Sequence, residues 1–383
     1  MNESIAINQS KKAARIQTVV CGFLFSAFSF TYLYVFQPYV IEALHFSLAH
    51  GKTRFVPLAS AVVITFVLLL LRWAVNIPLG LKGPVRALAY FPSFLLLGAL
   101  GDVGRGVYMA GYSNGWIPLL PVVLGVYCVA MFVLRRWLRS WLDRVYSPLV
   151  LVNSNLCILL ALAFLTVRLG NADEAFHHEV EVEYHLRHRQ FGRALQVGRH
   201  SQEASRTLTV LRAYAMAHTG QLGERLFTYP QPYRSEGLYF AHDSLSVLRY
   251  TNDSICSLLG ARPYSGAINV NFLRSICYKE TGKYTALEYY LSALLLDKRL
   301  DDFVEAIPEF YEVADSLPRS FKEALVLYED RHPGYSSGLQ DSTWSYAYAG
   351  YRAEKERWTT LPEQRKAVRA AYEKTYWWYF DFQ

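Results

Sequence analysis

Four side chains downstream of residue 170 have the types and spacing of a metal site. His178, Glu181, His185 and His188 stand at i, i+3, i+7 and i+10. On a helix, at about 100° per residue, they fall within an arc of about 80°. Imidazole and carboxylate on adjacent turns are ligands that Zn²⁺ accepts. The same spacing describes the solvated face of an ordinary helix, and that reading is preferred. His178-Glu179 does not open a zincin motif, because Val182 stands where the second His is required. No metal or cofactor is assigned.

Asp102 and Arg105 are a second candidate. They lie one turn apart at the end of an apolar run and are expected to pair at a membrane interface. The surrounding Gly101-Asp102-Val103-Gly104-Arg105-Gly106 is glycine-rich but lacks the Lys-Ser/Thr of a phosphate loop. Cys256 and Cys277, twenty-one residues apart on consecutive predicted helices, are a candidate disulfide if they face an oxidising compartment. Cys21, Cys128 and Cys157 lie inside apolar runs and read as small core residues. Asn153, Ser154 and Asn155 interrupt another apolar run, where polar side chains hydrogen-bond a neighbouring helix. Neither a nucleophile–base arrangement nor a buried carboxylate pair can be assembled, so the chain is read as non-enzymatic.

Two different kinds of chain must position these residues. Of the 383 residues 52% are hydrophobic, and the excess is concentrated before residue 168. Residues 1–167 hold 13 Lys/Arg and 4 Asp/Glu, whereas 168–383 hold 26 and 28. The net charge of +7 therefore belongs to the apolar half. A nucleic-acid partner is excluded on that ground, since the polar half has no basic excess to meet phosphates.

Five apolar runs are read as membrane spans: 16–36, 55–71, 86–101, 116–134 and 148–167. Continuous apolar runs of this length are helices rather than barrel strands. The first follows Lys11, Lys12 and Arg15 and is too long for a signal-peptide core, so it reads as uncleaved. The third is short and contains Pro92. Lys/Arg number ten in 1–15, 72–86 and 135–147 together, against three in the alternate loops. That bias puts the N-terminus in the cytoplasm and residues 168–383 outside it. The whole topology turns on the third run, because without it the tail returns to the cytoplasm.

The tail reads as all-helical. Helices are expected near 173–189, 191–201, 203–218, 241–259, 265–281, 284–296, 302–315, 319–330, 341–357 and 362–379, with a loop around Phe227–Gly237. The turns Thr219-Gly220-Gln221-Leu222, Leu259-Gly260-Ala261-Arg262 and Thr281-Gly282-Lys283-Tyr284 resemble one another, with Gly placed for a left-handed helix end. Tyr278-x3-Gly282-x-Tyr284, followed by Tyr289, Tyr290 and Ala293, resembles a tetratricopeptide repeat over roughly 175–300. It departs by one residue, because Ala286 lies four rather than five after Gly282. An α-solenoid-like tail is the expected fold. Tyr376, Trp377, Trp378, Tyr379, Phe380 and Phe382 then put six aromatics into seven residues. A terminus so apolar should dock, either as a cap on the last tail helices or at the membrane interface; the cap is preferred.

LRAYAMAHTGQLGERLFTYP (Leu211–Pro230), LPRSFKEALVL (Leu317–Leu327) and the end Tyr376–Phe382 resemble a family of bacterial inner-membrane proteins known as a domain of unknown function. The resemblance implies a five-helix N-terminal bundle, a helical repeat-like tail and an envelope location; it implies no activity. Two function classes remain. One is a membrane-anchored envelope scaffold presenting its tail to partner proteins or peptides, with membrane lipid as its other neighbour. The other is a membrane enzyme or transport subunit using Asp102, Arg105 and the outer face of the bundle.

Overall fold

Pro92 interrupts the hydrogen-bond ladder of the third apolar run. It has no N–H to give Leu88, and its ring crowds the preceding turn. In the computed structural model the third run begins at Gly83 rather than Arg86. Gly83–Tyr90 is a 3-10 helix, and Phe91–Gly101 continues as an α-helix. The 3-10 form rises ~2.0 Å per residue against ~1.5 Å for the α form. Each part therefore contributes about 16 Å, and together they match a hydrocarbon core of ~30 Å. The structure describes residues 2–109, 112–142, 144, 146–241, 249–264, 267–312 and 316–383, without the side chains of 2–11 and 13. Residues 1–173 form one unit, and residues 174–244 with 248–383 form another.

The helices of more than one turn in the first unit are α1 (Asn2–Thr31), α2 (Pro38–Ala49), α3 (Pro57–Leu79), α4 (Phe91–Gly101), α5 (Trp116–Trp137) and α6 (Pro148–Leu169). Five segments are long and apolar enough to cross a membrane: Ala14–Phe36, Pro57–Leu79, Gly83–Gly101, Trp116–Trp137 and Pro148–Leu169. The second runs eight residues past the expected Leu71, because one Arg does not end a helix. It stops at Gly80, whose left-handed φ of +55° closes it, and Arg135 Nη1 donates to the freed Leu79 carbonyl at 3.0 Å. Helix α2 was expected as loop; Pro38 at its first turn is the signal for it.

The third segment is the centre of this unit, with 61% of its apolar window buried against 6% for Trp116–Trp137. Its irregular backbone is satisfied by side chains of its neighbours. Asn155, fully buried on α6, accepts from Ala87 N at 2.6 Å and donates to Gly83 O at 3.0 Å. Tyr127 of α5 donates to Leu88 O at 2.8 Å, the carbonyl that Pro92 cannot serve. Thr166 donates to Phe94 O, and Ser93 donates to Leu68 O. Phe25 of α1 packs its ring 5.0 Å from both Tyr90 and Phe94. Around this core the other segments leave Val19, Phe23, Phe66, Val126, Phe132 and Phe164 exposed, a surface suited to hydrocarbon rather than water.

The second unit contains α7 (Glu174–Arg187), α8 (Arg206–His218), α9 (Asn252–Leu259), α10 (Val270–Tyr278), α11 (Tyr284–Leu296), α12 (Leu300–Phe310), α13 (Arg319–Arg331), α14 (Ser342–Glu356), α15 (Leu361–Tyr372) and α16 (Tyr376–Phe382). From α10 onward each helix packs on the next. The helix expected at 191–201 is one turn, Phe191–Ala194, followed by turns. Gly198 is left-handed there, and buried Arg212 donates to Val197 O at 3.1 Å and Gly198 O at 3.2 Å. Its guanidinium lies 4.6 Å from the Tyr229 ring centre, and loss of solvation pulls its pKa down to about 10. The expected loop around Phe227–Gly237 holds the 3-10 turns Leu226–Thr228 and Arg234–Leu238. Gly220 and Gly260 are left-handed as expected; in the third turn Glu280 takes that conformation instead. Gly282 serves packing, since a Cβ there would meet that of Ala286 at 2.9 Å. Parts of three expected helices, at 242–248, 265–266 and 313–315, lie outside the described residues.

The helix expected at 362–379 is broken. Thr375 accepts from Trp378 N and starts α16 in a new direction. Tyr376, Trp377, Trp378 and Tyr379 are buried within the tail. The Phe227 ring stands edge-on to Tyr376 and tilted against Tyr379, Tyr379 donates to Leu296 O at 2.5 Å, and Trp377 Nε1 donates to Glu323 O at 2.7 Å. The buried Glu323 carboxylate accepts the Tyr376 amide at 2.6 Å and Arg319 Nε at 2.7 Å. Asp381 accepts from Tyr351 and Lys355, each at 2.6 Å. Thus α16 plugs the tail core by docking on α13 and α15, among the last tail helices, as the preferred reading expects.

Two substitutions test these ties. Asn155→Leu leaves buried backbone groups unpaired and should destabilise the detergent-solubilised protein by about 1–3 kcal/mol. Asn153→Leu, at an exposed position of the same helix, should shift the melt little. Trp377→Ala should cost the tail ~3–5 kcal/mol, read as a lowered denaturant midpoint. Trp358→Ala, at a 43% exposed position, should stay within about 0.5 kcal/mol.

Candidate functional site

The four-residue metal candidate does not converge. On α7 His185 is buried and His178 half-buried, whereas His188, next after the last helical residue Arg187, is exposed. His188 Nδ1 instead meets Tyr184 O at 2.8 Å. His185 Nδ1 meets Gln190 Oε1 at 2.9 Å, and its Nε2 is 4.0 Å from Glu181. His178 packs near Gly198 and Arg212; burial and the Arg212 charge hold its pKa below the ordinary value. Among the described residues no three His, Cys, Asp or Glu side chains are grouped to hold a metal ion.

Asp102 and Arg105 are each bound to a partner that the spacing did not suggest. Trp116 Nε1 donates to Asp102 at 2.7 Å. Arg105 forks onto Asp173, with Nη2 at 3.3 Å from Oδ1 and Nη1 on the other oxygen. Asn171 completes this knot, donating from Nδ2 to Val103 O at 2.7 Å. These residues tie the end of α4 to the end of α6. The expected Cys256–Cys277 disulfide is not formed; both are free, buried thiols. Burial pushes Cys277 up to about 12 and raises Cys256 as well, the latter helped by Asp253.

The tail's chemically distinctive surface lies at one end of the α10–α11–α12 layer. A groove of about 390 Å³ is lined there by Tyr278, Lys283, Tyr284, Leu287, Glu309 and Phe310. The left-handed turn at Glu280 swings the chain from α10 into α11, so Tyr278 and Tyr284 face the same opening. Tyr278 is 45% and Tyr284 64% exposed. The Tyr278 ring stands edge-on to Phe310 at 5.1 Å, and the Arg274 guanidinium lies 5.5 Å from its centre. Tyr284 packs on Tyr311, whose hydroxyl is held neutral by burial. The groove therefore offers aromatic faces bordered by Arg274, Lys283 and Glu309. Such surfaces recognise extended apolar and charged side chains. The repeat-like spacing that contains Tyr278 and Tyr284 gives no sign that both rings are exposed.

The sequence profile of one family matches residues 58–257 and 267–383. The chain belongs to the family of unknown function DUF6057. The match includes all three stretches that carried the resemblance to a domain of unknown function. No curated protein and no solved structure matches the chain.

A thiol-labelling experiment checks the cysteine assignment. Cys256 and Cys277 should stay unmodified by maleimide in the native protein near neutral pH and react fully after denaturation, with no reductant needed. Labelling that requires prior reduction would restore the disulfide.

Proposed function

We propose that the chain is a multi-pass protein of the bacterial inner membrane that presents its helical tail, outside the cytoplasm, to partner proteins or peptides. It acts as a scaffold rather than a catalyst. The observation that carries this reading is the exposed aromatic and cationic groove around Tyr278 and Tyr284, set on packed helices. The succession from α10 to α15 supports a repeat-like framework, which suits such grooves. The ten-to-three distribution of Lys and Arg supports a cytoplasmic N-terminus. The alternative, a membrane enzyme or transport subunit using Asp102 and Arg105, has less support because both side chains are engaged by Trp116 and Asp173.

Two measurements test this. An alkaline phosphatase fusion after residue 175 should be active in a Gram-negative host; a full-length, abundant but inactive fusion contradicts the topology. A photo-cross-linking residue at Tyr284 in the full chain should give discrete protein adducts in native membranes. The Tyr278→Ala substitution should weaken them several-fold, and the same probe at Tyr346, 84% exposed on α14, should not give them. Identical patterns from both positions, or none from position 284, reject the groove.

A further inference from the structure

Two arginines in the membrane unit face each other's charge. Arg72 lies on α3, fifteen residues after Pro57 and so ~22 Å along the helix. Arg86 lies in the Gly83–Tyr90 segment. Both are half-buried, and both act electrostatically on Tyr90 and Cys21. Arg72 stands 4.8 Å from the Tyr90 ring centre. Arg86 reaches Ala14 O at 3.5 Å, at the start of the first apolar segment. The Nε atoms of both arginines and the Tyr90 hydroxyl are buried without a hydrogen-bond partner. Neither arginine forms an ion pair with a described carboxylate. Asp102 ends α4, the far end of the third segment from Arg86. Glu42 lies on α2, which packs against that same far end of α4.

Two neighbouring cations in a region of low dielectric repel strongly unless an anion lies between them. A guanidinium fork matches the oxygens of a phosphate, and here two guanidinium groups lie within electrostatic reach of each other and of one phenol. Arg72 lies seven residues, ~10 Å, inside the end of α3, and Arg86 three residues inside the start of the third segment, so that long side chains can reach headgroup level. Trp73, 61% exposed, follows Arg72, and Trp137, 83% exposed, ends α5 beside the end of α3. Aromatic side chains of this kind mark the interface. Exposed Val19, Phe23 and Phe66 on α1 and α3 supply apolar surface along which acyl chains can lie.

We infer that Arg72, Arg86 and Tyr90 form a binding site for the phosphate of an anionic phospholipid, at the end of the bundle where the first span begins. A headgroup without its own cation suits the pair better than a zwitterionic one. The inference rests on the five apolar helices crossing a bilayer and is independent of the tail's partner.

The test uses the full chain, purified in mild detergent and stripped of loosely held lipid. Mixed micelles containing phosphatidylglycerol should raise its melting temperature, and native mass spectrometry should show a retained lipid. Phosphatidylcholine and inorganic phosphate should do neither. The Arg72→Gln/Arg86→Gln double variant should bind phosphatidylglycerol at least about tenfold more weakly, the loss expected for charge-assisted hydrogen bonds. Lys82→Gln, an exposed charge nearby, should bind as the parent does. If the double variant does not fold, Tyr90→Phe, which removes one donor and keeps the ring, should weaken binding a few-fold. Unchanged phosphatidylglycerol binding in a folded double variant overturns the site, as does unchanged binding in Tyr90→Phe where that variant stands in. Equal stabilisation by inorganic phosphate assigns the arginines to a free oxyanion and overturns the lipid. Carbonate extraction of the parent protein reports membrane embedding separately, so a failure of that premise is distinguishable.

Discussion

A backbone surrounded by hydrocarbon has no water to bond, and every N–H and C=O must find a partner inside the protein. The first unit of this chain is organised by that constraint at one place. The segment Gly83–Gly101 begins as a 3-10 helix and carries Pro92 at its join, so its ladder is incomplete. It is also the most buried of the five apolar segments. Asn155 and Tyr127 supply what the ladder lacks, from two different helices. The neighbouring spans are thereby fixed around the third by hydrogen bonds as well as by packing. The same irregularity lengthens the segment, which is why nineteen residues suffice where a shorter apolar run looked marginal.

The tail solves a different problem. Water satisfies its surface, but its helices are short and need a common core. That core is closed by α16, the last helix, which reaches Phe227, Leu296, Glu323 and Tyr351 from about two turns of chain. Four buried aromatics provide the apolar area, and the Glu323 carboxylate takes the first amide of the helix. At the other end Asp381 is held by Lys355 and Tyr351. The plug leaves the α10–α12 groove open, because its contacts are with the ends of α11 and the faces of α13 to α15.

Much of this was legible as residue type, and little of it as partnership. Asn155 stood out as a polar residue in an apolar run, and bonding to a neighbour was the natural expectation. That its partner is a 3-10 backbone follows only from the placement of α6 beside Gly83–Tyr90. The aromatic terminus was legible as buried, yet the break at Thr375 was hidden inside a continuous helical pattern. Helix α2 was missed because twelve residues are too short for a span and too apolar for a loop, although Pro38 marked its start. The His178–His188 spacing was correct for a helix, but His185 is engaged by Gln190 and His188 by the Tyr184 carbonyl. Arg105 found Asp173, 68 residues away, where local spacing had suggested Asp102. Distance along the chain hides such pairs, and only the fold reveals them.

In the proposed topology the placement of the third segment decides on which side of the membrane the tail lies. Single cysteines at Lys82 and Ser113, in a background without the native cysteines, flank that segment on exposed positions. A membrane-impermeant maleimide should label position 113 in cells whose outer barrier alone is permeabilised, and position 82 only after the inner membrane is opened. Labelling of both positions under the first condition, or of neither, would contradict a third span, and labelling of neither would return the tail to the cytoplasm.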